Sequence, residues 1–145
     1  MVAIRIRGTV GVKGDIAYAL ENIKLFKKNH AVLLKEEPSQ LGMLHKVKDY
    51  VTFGKISDQM LQKLLEKRGR VGKMRLKEAM KQLGYPSVDA LAKDINSGKK
   101  IEGLKPVFAL SPPSGGFKGS TKDSYPKGEL GNRKEAINDL LKRMI

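Results

Sequence analysis

The 145-residue chain contains no cysteine, no tryptophan and only two histidines. The absence of cysteine excludes disulfide bonds and thiolate metal sites, and two histidines are too few to build a zinc site. No apolar run approaches the roughly 20 residues that cross a bilayer, and the first residues lack the apolar segment of a secretory signal. The sequence therefore predicts one compact cytoplasmic domain that contacts no membrane and holds no metal or cofactor.

Recognisable catalytic arrangements are also missing from the sequence. Acidic residues such as Asp49 and Asp58 are scattered over turns and helix starts, and none pairs with another as acid and base. Gly8, Gly11 and Gly14 share one loop, but the lysine–hydroxyl ending of a phosphate loop and the spacing of a dinucleotide site are absent, which favours a plain turn. We therefore predict that the chain is not an enzyme and takes no small-molecule substrate.

Positive charge is what the chain has in excess, with 29 lysines and arginines against 15 carboxylates and a net charge of +14. Such a chain attracts polyanions through the release of their counterions, although anionic membranes share this property. The densest stretch, Lys67–Arg75, holds five cations and no carboxylate. We interpret it as a basic hinge between two helices that contacts nucleic acid, the alternative being a solvated loop. Its candidate contact residues are Arg68, Arg70, Lys73 and Arg75.

Two further arginines lie on the first predicted strand. Val2, Ile4 and Ile6 alternate there with polar positions, a period of two that is typical of a half-buried strand. The same period places Arg5 and Arg7 on the opposite, exposed face. They either contact phosphates or only keep that face soluble.

A glycine-rich segment over residues 111–132 is the most distinctive local feature of the chain. Two prolines stiffen its start, and glycines then allow a close approach of the backbone to a bulky partner. A ring next to a lysine could stack on a base beside a phosphate, although the ring could instead pack back under the sheet. The segment therefore reads as an RNA-binding loop. Its candidate contact residues are Gly115, Gly116, Phe117, Lys118, Gly119 and Lys122.

The predicted fold class is α/β (α+β). Residues 1–57 read as a β-α-β-α-β core, a small sheet packed by helices in the ferredoxin-like manner. Residues 58–105 read as a helical insertion packed on that core. Residues 106–145 would add a strand, the glycine-rich loop and a closing helix that starts at Asn132, with Glu135 completing a capping box.

The order of these motifs resembles a family of large-subunit ribosomal proteins in its archaeal and eukaryotic form, the L-thirty family, called L-seven in eukaryotes. The matching stretches cover the chain in the family's order: Val2–Gly8, Leu20–Val32 with Asn29 and His30, Leu41–Leu44 with Lys46, Lys48, Asp49 and Tyr50, Lys67–Arg70, Pro112 and Pro113 with Gly115–Gly119, and Gly131–Arg133 with Ile137 and Asn138. Eukaryotic members usually carry a long basic N-terminal extension, whereas here the first strand begins at residue 2, which favours an archaeal source.

The resemblance implies a structural component of the large ribosomal subunit that binds the large-subunit ribosomal RNA. It would act as a monomer within the ribosome, beside neighbouring ribosomal proteins. Among the matching residues, Lys46, Lys48 and Arg133 become further candidate RNA contacts. The alternative is a free-standing basic RNA chaperone or another nucleic-acid-binding protein outside the ribosome, which composition alone does not exclude.

Overall fold

The computed structural model describes all residues from 1 to 145 and contains eight strands and six α-helices. Along the chain these are β1 (Val2–Arg5), α1 (Gly14–Asn22), β2 (His30–Leu33), α2 (Pro38–Lys46), β3 (Val51–Gly54), α3 (Asp58–Arg68), β4 (Arg70–Val71), β5 (Met74–Arg75), α4 (Leu76–Leu83), α5 (Val88–Asn96), β6 (Val107–Ala109), β7 (Ser120–Ser124), β8 (Gly128–Asn132) and α6 (Ile137–Met144). A short 3-10 turn, Lys134–Ala136, precedes the last helix. No helix is long and apolar enough to cross a membrane.

Six of the strands form one mixed sheet in the order β6-β2-β1-β3-β8-β7. The central strand β1 pairs antiparallel with both neighbours, so that Ala3 lies opposite Val32 on one side and Phe53 on the other. Strand β8 joins β3 in parallel, with Gly131 opposite Thr52. The predicted β-α-β-α-β order of the first third, and the α+β class with it, are confirmed.

The sheet is covered on both faces. On one face α1 and α2 pack through Leu20 and Leu44 against Ala3 and Phe53. On the other face Ile4 and its neighbours meet α3, α5 and α6, and a single apolar cluster there joins residues of all three predicted segments. The insertion and the C-terminal helix therefore complete the fold by closing a sheet face that the first third leaves bare.

Helices on both faces change the environment of β1. All four of its residues are buried, whereas the alternating pattern predicts a half-buried strand. The prediction was wrong because α1 and α2 cover the face of Ala3, while the later helices cover the face of Val2 and Ile4. Val2 and Ile4 pack on one face of the sheet. Ala3 packs on the other face, which was expected to be exposed.

The insertion contains the predicted helices but differs between them. Helix α3 begins after Ser57, whose hydroxyl accepts from the Met60 N–H, and ends before Gly69. Helix α5 begins in the same way after Ser87. The basic stretch between α3 and α4 is not the open hinge that was expected, because β4 and β5 pair there as a small antiparallel hairpin.

The C-terminal part departs most from the prediction. Two strands, β7 and β8, lie inside the segment expected to be a loop, and Leu130 of β8 is buried in the core. The closing helix starts at Ile137 rather than at Asn132. Asn132 pairs with Phe53 in the sheet, and its side-chain oxygen accepts from the Lys134 N–H at 2.9 Å. The proposed capping box was therefore wrong, since its first residue belongs to a strand.

Candidate nucleic-acid interface

The basic stretch between α3 and α4 forms a hairpin with a two-residue turn. Gly72 occupies the first turn position with φ of +59°, a value that glycine adopts without strain. Arg70 lies directly opposite Arg75. The next pair along the hairpin is hydrogen-bonded, since Leu76 donates its N–H to the Gly69 carbonyl at 2.9 Å. Arg70 and Arg75 are therefore a non-hydrogen-bonded pair, the kind in which facing side chains approach most closely.

A third segment continues this hairpin on its other side. Val71 lies opposite Leu104 in an isolated antiparallel bridge, and Lys105 donates its N–H to the Arg70 carbonyl at 2.9 Å. Residues directly opposite each other across strands project from the same face. Arg75, Arg70 and Lys105 therefore form a row of three exposed cations, which we term the cationic row.

The cationic row lines a cleft of about 760 Å³ beside the edge strand β6. Three more cations contribute to its walls, and Glu66 is its only carboxylate side chain. Glu66 lies 3.9 Å from the Lys77 ammonium, while Arg68 donates to the Ser111 hydroxyl at 2.5 Å. No carboxylate lies within ion-pair distance of the cationic row itself. The lining residues are His30, Glu66, Lys67, Arg68, Gly69, Arg70, Arg75, Lys77, Lys105, Val107, Ala109 and Ile145.

The imidazole of His30, which also lines the cleft, adds no charge to it. Burial lowers the pKa of His30 below its usual range, and the nearby charges of Lys27 and Arg5 lower it further. The ring is therefore neutral at pH 7, and the positive potential comes from lysines and arginines alone.

The proline-glycine part of the C-terminal segment is held against the last helix. Arg143 donates through Nε to the Ser114 carbonyl at 3.1 Å and through Nη2 to the Gly116 carbonyl. Gly115 and Gly116 are exposed with φ of +74° and +75°, so this turn needs glycine at both positions. Phe117 is half-buried and packs against the core cluster of α3 and α6. Its position supports the alternative in which the ring packs back onto the fold.

Further along this segment, Arg133 and Glu129 form a buried ion pair. Burial raises the pKa of the Glu129 carboxyl, but hydrogen bonds from the Gly119 N–H, at 2.8 Å, and from Arg133 outweigh it and lower that pKa below its usual range. The Arg133 guanidinium also lies over the Tyr125 ring, 5.1 Å from its centre. Arg133 is only 7% exposed, so its assignment to the RNA-contacting set is contradicted by its position.

Arg5 is likewise a support for the fold rather than a surface cation. It is 3% exposed and donates to four backbone carbonyls: Leu25 at 2.7 Å, Arg7 and Gly8 at 2.9 Å and Phe26 at 3.2 Å. These bonds tie the end of β1 to the loop after α1. The predicted exposed position of Arg5 was therefore wrong, since four of its five N–H donors are used inside the protein and the side chain is buried.

The remaining candidate cations lie at the surface. Arg7 stacks 5.0 Å from the centre of the Tyr50 ring and donates to the Asp49 carbonyl at 3.3 Å. Lys46 approaches the Asp15 carboxylate at 3.9 Å, a pair exposed enough to contribute little. The other exposed candidates without an ion-pair partner are Lys48, Lys73, Lys118 and Lys122.

Topology brings several of these groups to one end of the sheet. Strands β1 and β6 end where β2 and β3 begin, since Ile4 pairs with Ala31 and Ala109 with His30. Arg7 and the proline-glycine turn follow β1 and β6 at this end, and Lys48 precedes β3 there. No group of three metal-ligating side chains occurs anywhere in the chain. The exposed chemistry of this end is therefore cationic, with glycine backbone beside it.

The profile of the family described as Ribosomal protein L30p/L7e matches residues 1–51. Proteins named "Large ribosomal subunit protein uL30" match along nearly their whole length. The Methanosphaera stadtmanae protein is 42% identical over 98% of this chain and 97% of its own, and the Methanococcus vannielii protein is 44% identical with the same coverage. The Staphylothermus marinus protein is 43% identical over 98% of this chain and 96% of its own.

The chain belongs to the L30p/L7e family. The resemblance noted in the sequence, including its archaeal character, is thereby confirmed. Membership of this uL30 family also agrees with the prediction that the chain is not an enzyme. Sequence reasoning missed Lys105 and Arg143, because the first reaches Arg70 and the second reaches Gly116 only through tertiary contacts.

Proposed function

We propose that this protein is a structural constituent of the large ribosomal subunit and binds the large-subunit ribosomal RNA. It would act there as a monomer in the cytoplasm, beside neighbouring ribosomal proteins. Support comes from its full-length similarity to proteins named for the large ribosomal subunit and from its net charge of +14. Phosphate contacts would supply most of the affinity, and the shape of the folded RNA would supply the specificity.

The observation that carries this proposal is the separation of the cations into two classes. Arg5 and Arg133 are buried, and acceptors within the protein hold them, backbone carbonyls for Arg5 and the Glu129 carboxylate for Arg133. Most of the other candidates are exposed without a carboxylate partner, an arrangement that repels itself unless an anion neutralises it. The proposed RNA contacts are Arg7, Lys46, Lys48, Arg68, Arg70, Lys73, Arg75, Gly115, Gly116, Lys118, Gly119 and Lys122.

Within this set, the proline-glycine turn would contact the RNA through its backbone rather than through charged side chains. A Cβ built on Gly115 or Gly116 meets no atom of the protein within 4 Å, so both glycines face open space that an RNA backbone can occupy. Lys118 is exposed next to this turn. The Phe117 ring could either stack on an RNA base or pack on the protein core. Its half-buried position favours packing on the core.

Sedimentation of ribosomal subunits tests the proposal against a free-standing RNA chaperone. A tagged copy of the protein, expressed in an archaeal host, is followed through a sucrose gradient at low magnesium, where the subunits separate. We expect the protein to migrate with the large subunit and to stay there through a high-salt wash. Recovery mainly in the light fractions, or from both subunits equally, would contradict the proposal and favour the chaperone.

A further inference from the structure

The cationic row is costly to the free protein. Arg70 and Arg75 face each other in the closely spaced pair of the hairpin, and like charges in this position destabilise a strand pair. Lys105 adds a third cation on the other side of Arg70. All three side chains are exposed and none has a carboxylate partner. No ion pair within the chain offsets this repulsion, so an external anion bound at the row would relieve it.

The geometry of the row indicates the kind of anion. Neighbouring strands lie about 4.8 Å apart, so the three cations span roughly 10 Å in a line. A small ion would neutralise only part of such a line, whereas a polyanion with evenly spaced charges would follow it. Each guanidinium is a planar fork of donors that binds two oxygens of one phosphate at once. Two adjacent forks and an ammonium therefore match consecutive phosphates of one strand.

The surroundings of the row favour a nucleic acid over an acidic protein segment. The apolar part of the cleft wall is small, with Val107 and Ala109 of β6 beside the terminal Ile145. A bound peptide normally draws much of its affinity from apolar pockets, which this cleft does not offer. Arg68 at one end is already oriented by Ser111, at the start of the segment that leads to the proline-glycine turn. This hydrogen bond links the cleft to the segment that carries the proline-glycine turn.

We propose that the cationic row is a clamp in which Arg70 and Arg75 each hold one of two consecutive phosphates of a single RNA strand, with Lys105 at its end. This inference rests on the proposed function, because it takes the ligand to be ribosomal RNA. It goes beyond that function by assigning one continuous site, which includes Lys105. In this site the spacing of the cations on the hairpin matches the spacing of phosphates along the RNA backbone. Charge density alone would not require the two guanidinium groups to act together.

Binding of a transcript of Methanococcus vannielii large-subunit ribosomal RNA tests the clamp. The variant Arg70→Gln/Arg75→Gln removes both forks, and Lys81→Gln/Lys93→Gln removes the same charge from exposed sites on α4 and α5 outside the cleft. We expect the arginine variant to bind at least about tenfold more weakly and to lower the slope of log K against log salt by about 1.4 to 1.8. The lysine control should bind within about threefold of the unmodified protein.

The melting temperature separates this role from a structural one. Removing two facing like charges should leave melting unchanged or raise it, whereas loss of a structural contact would lower it. If the unmodified protein binds the transcript and both variants lose affinity equally, the clamp is wrong while the proposed function stands. If the unmodified protein binds no better than to a random RNA of equal length, the proposed function fails and the clamp with it.

Two further measurements test the chemical class of the ligand and the role of the guanidinium groups. A fluorescent ten-residue polyglutamate peptide should bind no more tightly to the unmodified protein than to the arginine variant. Specific binding that depends on Arg70 and Arg75 would assign the cleft to an acidic protein and overturn the RNA clamp. Arg70→Lys/Arg75→Lys keeps the charge and should still lose about threefold or more, because ammonium groups lack the planar fork. Undiminished binding by this variant would also overturn the clamp.

Discussion

Two regions of this molecule hold arginines in opposite ways. In the central sheet, Arg5 at one end is buried under four backbone carbonyls, and Arg133 at the other end is buried against the Glu129 carboxylate. In the hairpin, Arg70 and Arg75 face each other in solvent with no partner. The residue type is the same in both regions, so its chemistry alone does not decide the role. The number of donors that the fold itself has already used decides which arginines remain for an external anion.

The difference teaches how a very basic chain divides its charge between folding and binding. A buried guanidinium is tolerated only when its donors are satisfied, and removing its partner leaves an expensive isolated charge. An exposed one contributes little to stability and is free to neutralise a phosphate. Substitutions in the first region should therefore act on folding, and substitutions in the second on binding and its salt dependence. The predictions below test this division.

The largest expected effect is on the buried ion pair. Replacement of Glu129 by alanine should lower the free energy of unfolding by about 3 to 5 kcal/mol, because Arg133 would remain buried without its partner. Urea denaturation measures the loss. The double variant Glu129→Met/Arg133→Met is the control and should recover much of it, since the buried charge is then absent. A single variant as stable as the unmodified protein would show that Arg133 reaches solvent and is available for RNA.

The same pair predicts the direction of the acid response. Because the folded state lowers the pKa of Glu129, the carboxylate stabilises the protein above its unfolded pKa, and this contribution disappears as the pH falls through the folded pKa. Between neutral pH and about pH 5 the contribution should therefore be nearly constant, and it should be lost progressively as the pH falls further. In Glu129→Gln this part of the acid dependence should vanish from urea titrations recorded at successive pH values.

A smaller contrast separates Arg5, the last residue of β1, from Arg7, which follows the strand two residues later. Arg5→Met should cost about 2 to 3 kcal/mol of stability, because it leaves buried carbonyls without donors, and should not change the salt slope of RNA binding by the folded fraction. Arg7→Gln should cost less than about 1 kcal/mol and lower the slope by about 0.7 to 0.9. Thermal melting and filter binding on both variants check the pair, and an exchange of the two outcomes would reverse our assignment.

The proline-glycine segment offers a third, weaker contrast between adjacent residues. Phe117→Ala should cost about 1 to 2 kcal/mol, less than a full core deletion because the ring is half-buried. Lys118→Gln should leave melting unchanged and reduce the salt slope. If Phe117→Ala instead keeps its melting temperature and binds RNA about tenfold more weakly, the ring stacks on a base, as the first interpretation of this segment had it.

Local sequence patterns predicted the elements that depend on local chemistry. Helix α3 ends before Gly69 and helix α5 begins after Ser87, because glycine stops and hydroxyl caps act within one turn. The hairpin was missed although its signal was present, a glycine at the first position of a two-residue turn between Val71 and Met74. The prediction of a hinge rested on the five cations in these nine residues and did not use the turn signal.

The roles of individual arginines were beyond the reach of local patterns. Arg5 finds its acceptor at Leu25, twenty residues away, and Lys105 meets Arg70 through a bridge that joins distant segments. Glu129 and Arg133 carry a spacing of four, but as part of a strand and the turn after it rather than of a helix. Because most arginines in proteins are exposed, the sequence alone predicts an exposed position for each of them. Only the folded chain shows which carbonyls and carboxylates surround a given arginine.

The smallest expected effect concerns the motion of the hairpin in the absence of RNA. The basic hinge that the sequence predicts at Lys67–Arg75 would be mobile in the free protein and ordered on the ribosome. The structure gives this stretch a pairing, but only through two short strands whose facing arginines repel each other. We therefore expect its amides to exchange with deuterium faster than those of α3, and to become protected when a large-subunit RNA transcript is added. Arg75→Glu places an opposite charge against Arg70 and should slow exchange in the free protein while weakening RNA binding. Strong protection of the unmodified hairpin without RNA would show that the repulsion is too weak to matter, and would remove the contrast with the buried arginines at this site.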